Sequence, residues 1–193
     1  LTRSTPTALS SARYNLAATT IGDYALFGGG YTGSYSDVVD AYNTSLTRST
    51  PTALSAARRD LAATSVGDYA VFGGGYTDSD YSSTVDAYNT SLTRSTPTAL
   101  SEAKHGLAAT SVGDYALFGG GYTGSGSDVV NAYNTSLTRS TPTALSKARY
   151  YLAATSVGDY ALFGGGYTGS ESAVVNAYNT SLTRSTPTAL SKA

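Results

Sequence analysis

Apolar and polar positions fall along this chain in short segments, and the segments recur in the same order. In residues 15–54, LAATTI (16–21) is small and β-compatible, and Gly22-Asp23 reads as a tight turn. YALFGGG (24–30) is apolar on both alternating sides and ends in glycines. TGSYS (32–36) is a polar loop, DVVDAY (37–42) a further strand, and Asn43-Thr44-Ser45 a turn. LTRSTPTAL (46–54) is polar, Thr-rich and carries Pro51. The spacing of the turn signals predicts four short strands per unit. No segment has helical periodicity, and the glycines and β-branched residues oppose it.

The segment LTRSTPTALS starts at Leu1, Leu46, Leu92, Leu137 and Leu182, a spacing of 45, 46, 45 and 45 residues. The chain is one module written four times, followed by the first twelve positions of a fifth copy. A period near 45 marks a stacked or radial repeat architecture. The second strand, apolar on both sides, calls for cover on both faces, which a small sheet gains between two copies of itself. The alanines of LAAT (Leu16, Leu61, Leu107 and Leu152 open the four copies) suit a crowded inner position. LTRSTPTAL suits an outer edge strand, where Pro51 needs no ladder donor and polar side chains discourage edge pairing. The expected fold is all-β: a β-propeller of four-stranded blades built from four near-identical repeats.

At YALFGG (24–29), VDAYN (39–43) and Arg58 the sequence resembles the kelch repeat, with apolar residues running into a Gly-Gly doublet, a Val-x-x-Tyr-Asn strand and a later Arg. The kelch pattern also has a Trp a few residues after the Tyr; here that stretch reads Ser45-Leu46-Thr47-Arg48, and the chain has no Trp. The competing repeat at this period wants Gly-His and Trp-Asp pairs, and this chain has one histidine. The resemblance implies kelch-like blades and no particular reaction. The blades are expected at 15–54, 60–100, 106–145 and 151–190, with 1–9 as an extra outer strand. Three forms of closure are open: two chains forming an eight-bladed homo-oligomeric ring, which we favour, one chain closing as a four-bladed monomer, or a slice of a longer array.

Composition narrows the function. The net charge is −1 with no like-charge run, so no nucleic-acid footprint is expected. No apolar run is long enough for a membrane helix. Cysteine is absent, which excludes disulfides and thiolate metal sites. Chain start and end both fall inside the repeat, as in a processed, excerpted or engineered piece.

The internal copies can be compared with one another. Loops after strands one and three barely vary: Gly22-Asp23, Gly67-Asp68, Gly113-Asp114 and Gly158-Asp159, and the Asn-Thr-Ser turns at Asn43, Asn89, Asn134 and Asn179. Loops after strands two and four share the other face and carry most of the differences. They hold Ser11, Ala56, Glu102 and Lys147; Tyr14-Asn15, Arg59-Asp60, His105-Gly106 and Tyr150-Tyr151; and Tyr35, the Ser79-Asp80-Tyr81 insertion, Gly126 and Glu171. A varied face on a constant scaffold is a binding layout. It is also what unconstrained drift produces. The candidate ligand-binding residues are Tyr14, Asn15, Tyr35, Arg59, Asp60, Asp80, Tyr81, His105, Tyr150, Tyr151 and Glu171. The kelch resemblance places Asp60 and Tyr151 at a pocket.

Catalytic and metal chemistry find little support. One histidine makes no Ser/His/Asp constellation, and His105 reads as a loop residue. Asp78-Ser79-Asp80 lacks the Gly and Glu that complete a calcium loop. Gly28-Gly29-Gly30 opens no helix and reads as close backbone approach, not a phosphate cradle. The repeated Tyr24, Tyr31 and Tyr42 are assigned to core or blade interface by their regularity. Arg13, Arg58, Lys104 and Arg149 form a ring that suits either an anion or a structural strand end. Each Asn-Thr-Ser reads as turn chemistry, not as a glycosylation acceptor. The expectation is a non-enzymatic scaffold, without cofactor or metal, that binds a protein or carbohydrate ligand through the varied face. The alternative is a structural spacer array or an engineered repeat with no defined ligand.

Overall fold

The computed structural model describes residues 5–192. The first blade comprises β1 (Ala17–Ile21), β2 (Tyr24–Gly28), β3 (Val39–Tyr42) and β4 (Arg48–Ser49). The second comprises β5 (Ala62–Val66), β6 (Tyr69–Gly73), β7 (Val85–Asn89) and β8 (Arg94–Ser95), and the third β9 (Ala108–Val112), β10 (Tyr115–Gly119), β11 (Val130–Asn134) and β12 (Arg139–Ser140). The fourth comprises β13 (Ala153–Val157), β14 (Tyr160–Gly164), β15 (Val175–Asn179) and β16 (Arg184–Ser185). Each blade is an antiparallel sheet paired in sequence order. The Gly-Asp turn closes the first hairpin, so Ile21 pairs with Tyr24 and Ala17 with Gly28. The Asn43 turn is locked by its own side chain, whose Oδ1 accepts the Ser45 and Thr47 N–H groups at 3.1 and 2.9 Å.

The outer strand is shorter than the pattern implies. Only Arg48 and Ser49 of LTRSTPTAL pair in the first blade, and Pro51 lies beyond the strand. The rest crosses to the next blade, and its leucine is core: Leu54, Leu100 and Leu145 are buried. Leu54 N–H donates to the Asp37 carbonyl at 2.8 Å, and the Tyr88 hydroxyl of the next blade donates to the Thr52 carbonyl at 2.7 Å. A connector clamped between two blades satisfies its backbone polar groups from both sides.

The core lies between blades. Ala17, Ile21, Leu26, Val39 and Ala41 of the first blade pack with Leu61, Ala70, Phe72 and Tyr88 of the second, and the two following interfaces repeat this set. Glycine makes the close approach possible. A Cβ added at Gly28, Gly73 or Gly119 would lie 2.8, 2.9 or 2.8 Å from the ring of Phe72, Phe118 or Phe163 on the following blade. Each of these Phe rings meets the neighbouring Tyr88, Tyr133 or Tyr178 edge-on at 6.0 Å.

Inner strand β1 packs on β5, β5 on β9 and β9 on β13, and no comparable packing joins β13 to β1. The four blades form an open arc, so the expectation of one chain closing alone as a four-bladed ring is corrected. The faces left at the ends show it. Val157 of the last blade is 62% exposed, whereas its counterparts Ile21, Val66 and Val112 are buried. The expected extra outer strand at 1–9 is also corrected in part. Residues 1–4 lie outside the described residues, and 5–9 carry no strand pairing. Instead this segment lies on the first blade, where Tyr42 donates to the Thr7 carbonyl at 2.8 Å and Arg48 to that of Ala8 at 2.7 Å.

Candidate functional site

Just beyond the glycines of each second strand, the chain bends onto one face and makes three-way backbone bridges. Tyr31 bridges to Tyr14 and to Tyr35; Tyr76 to Arg59 and Tyr81; Tyr122 to His105 and Gly126; Tyr167 to Tyr150 and Glu171. Each invariant tyrosine therefore stands between two varied positions, one from the loop after strand four and one from the loop after strand two. The varied face of the sequence is a real face of the molecule.

The side chains there form one belt across all four blades. Ring centroids are separated by 5.6 Å for Tyr14–Tyr31, 5.4 Å for Tyr31–Tyr35, 6.0 Å for Tyr35–Tyr76 and 5.5 Å for Tyr76–Tyr81. The row continues through Tyr81–His105 at 5.2 Å, His105–Tyr122 at 5.7 Å, Tyr122–Tyr150 at 5.0 Å and Tyr150–Tyr167 at 5.5 Å. Tyr151 joins Tyr150 at 5.3 Å and His105 at 6.1 Å. Most contacts are edge-to-face or tilted, the arrangements that ring quadrupoles favour. The Arg59 guanidinium lies 5.2, 5.5 and 5.9 Å from the Tyr31, Tyr35 and Tyr76 centroids, with its Nε 3.6 Å from Asp60. Arg59, Asp60, Tyr76, Tyr81, His105 and Tyr151 line a cleft of about 280 Å³.

Protonation keeps the belt nearly neutral. Burial pushes the His105 imidazole below its ordinary pKa; the charge of Asp60 opposes this and that of Arg59 adds to it. His105 is therefore uncharged at neutral pH, and its Nδ1 is buried without a hydrogen-bond partner. Burial raises the phenols of Tyr81 and Tyr151, so both keep their protons. Arg59 and Asp60 are the charged pair beside this surface.

Beside the belt, Asn15, Asp60, Gly106 and Tyr151 occupy one repeat position around the arc axis. Their backbones form a row of inter-blade bonds: Asp60 N–H to the Asn15 carbonyl (3.0 Å), Gly106 to Asp60 (3.0 Å) and Tyr151 to Gly106 (2.8 Å). All four have positive φ, from 52° at Tyr151 to 60° at Gly106. A bulky residue held there is strained, and such strain collects at functional positions. The glycine serves its neighbour: a Cβ at Gly106 would meet the Tyr151 ring at 2.8 Å. Two varied positions are thus matched in shape.

The structure brings Tyr14, Tyr35, Arg59, Asp60, Tyr81, His105, Tyr150 and Tyr151 together. Asn15 lies at the axial mouth, a cavity of about 310 Å³. Asp80 turns inward on its own loop, accepting the Tyr81 N–H at 2.7 Å, and Glu171 takes part through its backbone bridge. Neither carboxylate is a member of the aromatic row. Among the described residues no group of three or more metal-type ligands forms. Tyr31 and its counterparts Tyr76, Tyr122 and Tyr167, expected in the core or at a blade interface, are not core residues: they sit in the belt, where Tyr76 meets Tyr35 and His105 of the neighbouring repeats. Their position immediately after the three glycines, past the strand end, was the available signal. Tyr42 and its counterparts are interface residues, as their regularity implies.

Of the two roles open to the basic ring, the structural one holds. Arg58, Lys104 and Arg149 are fully buried. They are structural, anchoring each connector, and offer no anion site. Arg58 Nη2 reaches Asp86 at 2.8 Å, and Arg13 reaches Asp40 at 2.9 Å. The third and fourth blades replace that aspartate by Asn131 and Asn176. Lys104 donates to the Val129 carbonyl at 2.9 Å, and burial lowers its pKa to about 8 against the partial opposition of Glu102 and Asp128. The native state then binds fewer protons than the unfolded chain between about pH 8 and 10.5, so stability rises with pH across that window. Asn131→Asp, which restores the partner, is expected to stabilise the fold at pH 7 by about 1–3 kcal/mol and to flatten the rise between pH 8 and 10. Urea unfolding at stepped pH measures both; a loss of stability with an unchanged slope would show that the aspartate does not pair with Lys104.

No family model matches this chain, and no curated protein does. Among solved structures, the chain is similar to that of YjhT, with a TM-score of 0.79 at 10% sequence identity over 97% of this chain and 69% of that one. At that identity the likeness concerns the fold alone, and it accords with the blades of a β-propeller.

Proposed function

We propose that this chain is a non-enzymatic, kelch-like binding scaffold whose aromatic belt takes a carbohydrate ligand. One observation carries the reading: an unbroken row of rings crosses four blades, built on the invariant Tyr31, Tyr76, Tyr122 and Tyr167 and on the varied positions beside them. Aromatic rings offer large contact area at little entropic cost. Sugars present apolar C–H faces and ring hydroxyls together. The cleft lined by Tyr76, Tyr81, His105 and Tyr151 supplies rings for the first, and Arg59 and Asp60 supply donor and acceptor for the second. A peptide segment fits the same rings less well, because the belt presents little charge and no unpaired strand edge.

A glycan array followed by calorimetric titration of the best oligosaccharide tests this. Tyr151→Ala is expected to weaken binding about tenfold or more, the scale of an aromatic anchor, while the melting temperature stays within a degree or two. Binding of peptides alone would replace the carbohydrate reading with a protein-partner one. Retention of full affinity by Tyr151→Ala and Arg59→Ala together would remove the belt from the account.

A further inference from the structure

The two ends of the arc are the two halves of the same interface. Each internal interface joins a slot on one blade to a knob on the next. In the slot, Gly28, Gly73 or Gly119 receives Phe72, Phe118 or Phe163, and Gly29, Gly74 or Gly120 receives Leu61, Leu107 or Leu152. In the last blade both slots are open. A Cβ at Gly164 would meet only Val175 at 3.7 Å, and one at Gly165 would meet Ser172 and Leu190 at 3.7 and 3.8 Å. At the other end of the arc, Phe27 and Leu16, the equivalent knobs, are half-buried on the first blade. Ala153, Ala154, Leu162, Val175 and Leu190 line an apolar hollow of about 310 Å³ on the last blade, and Ala25, Phe27, Tyr42 and Leu46 line one of about 360 Å³ on the first. Backbone groups match as well. Gly30, Gly75 and Gly121 N–H donate to the Arg58, Lys104 and Arg149 carbonyls across the three interfaces at 2.8–2.9 Å, which leaves Gly166 N–H and the Arg13 carbonyl as the corresponding terminal pair.

We infer that a second copy of this chain docks head to tail, its first blade on the last blade of this one, with its Phe27 in the Gly164 slot. The occupant is argued from the three internal interfaces, which show the same surfaces already packed together. One feature must give way. Each internal interface holds a single connector leucine, but a junction between copies brings Leu9 from one and Leu190 from the other to the same place. The segment before Arg13 is bound to its blade by Tyr42, Arg48 and two bonds from Ser10 to Asp40. The Leu190 segment is bound by the Leu190 N–H to the Ala173 carbonyl. Pro187–Leu190 therefore swings out and the incoming Pro6–Leu9 replaces it. The junction also joins the belts, placing Tyr14 of the incoming copy beside Tyr167 as Tyr150 stands beside Tyr122. The contact is heterologous, so its rotation decides between a closed two-copy ring and longer arcs.

Sedimentation velocity of the full chain over a concentration series tests this. The expected result is a species of at least twice 19.7 kDa whose share grows with concentration. Gly164→Ala is expected to weaken association about tenfold or more while leaving melting of the dilute monomer unchanged or raised, because its methyl has room until a Phe27 ring arrives. Phe27→Glu should act likewise from the other side. Leu190→Glu should leave association intact or strengthen it, since that side chain vacates the junction. A chain that stays at 19.7 kDa at every concentration overturns the inference, as does association indifferent to Gly164→Ala and Phe27→Glu. Loss of association in Leu190→Glu overturns the exchange of connectors.

Discussion

Asp86→Ala is expected to lower the unfolding free energy by about 3–5 kcal/mol, the cost of stripping a partner from a buried ion pair. The carboxylate is completely buried and satisfies groups from three segments. It accepts from Arg58 Nη2 and Arg94 Nη1, each at 2.8 Å, and from the backbone N–H (3.2 Å) and hydroxyl (3.1 Å) of Ser55. Burial alone would raise its pKa, but the Arg58 charge and the hydrogen bonds from Arg94, Arg58 and Ser55 outweigh that, and it sits below the usual carboxylate range. Removing it strands the Arg58 guanidinium in the interior and unhooks the connector between the first two blades. Asp86→Asn should cost distinctly less. The fourth blade shows why: Asn176 Oδ1 still accepts the Ser146 N–H at 3.2 Å and Arg149 Nη2 at 3.0 Å. Urea unfolding of the three proteins at pH 7 gives the comparison. Equal losses for Ala and Asn would mean that the charge, not the hydrogen-bond geometry, is what the connector needs.

The second large effect separates an internal interface from an open one. Phe118→Ala is expected to cost about 3–5 kcal/mol, as large-to-small changes in packed cores do. Its ring is fully buried, fills the slot above Gly73 and meets Tyr133 edge-on at 6.0 Å. Phe27 has the same place in the repeat but faces the open end of the arc. Phe27→Ala, measured in dilute protein, should cost roughly 1 kcal/mol or less, the part its partial burial against Tyr42 supplies. Thermal unfolding of both variants reads the difference. Equal costs would mean that the first blade is covered in the monomer, contrary to an open arc.

Much of the architecture was legible because the repeat printed each rule four times. The Gly-Asp turns, the apolar second strand and the doublet of glycines all found their structural reasons at the expected places. The outer strand stands where it is expected, but its length was not legible, for a physical cause. Polar composition and Pro51 suggest a solvated edge, but Leu54 is the residue that matters, and a single apolar position in a Thr-rich run gives no period. Open or closed ends were equally invisible, since curvature depends on how Phe72 seats over Gly28 and not on which residues are apolar. At the site, comparison between copies finds the varied residues but does not single out Tyr31, whose constancy suits a core or blade-interface residue equally well. The invariant tyrosine is the element the varied ones are built around. The shape match of Gly106 to Tyr151 lies 45 residues apart in sequence and needed three dimensions to be seen.

Saturation-transfer NMR with the best-binding oligosaccharide from the array tests the belt most directly. The expected result is transfer from tyrosine and histidine ring protons to the sugar C–H groups, lost in a Tyr81→Ala/Tyr151→Ala variant that keeps its β-sheet spectrum. Transfer that persists in that variant, or that comes from the Asn-Thr-Ser turns of the opposite face, would contradict the assignment of the varied face as the binding surface.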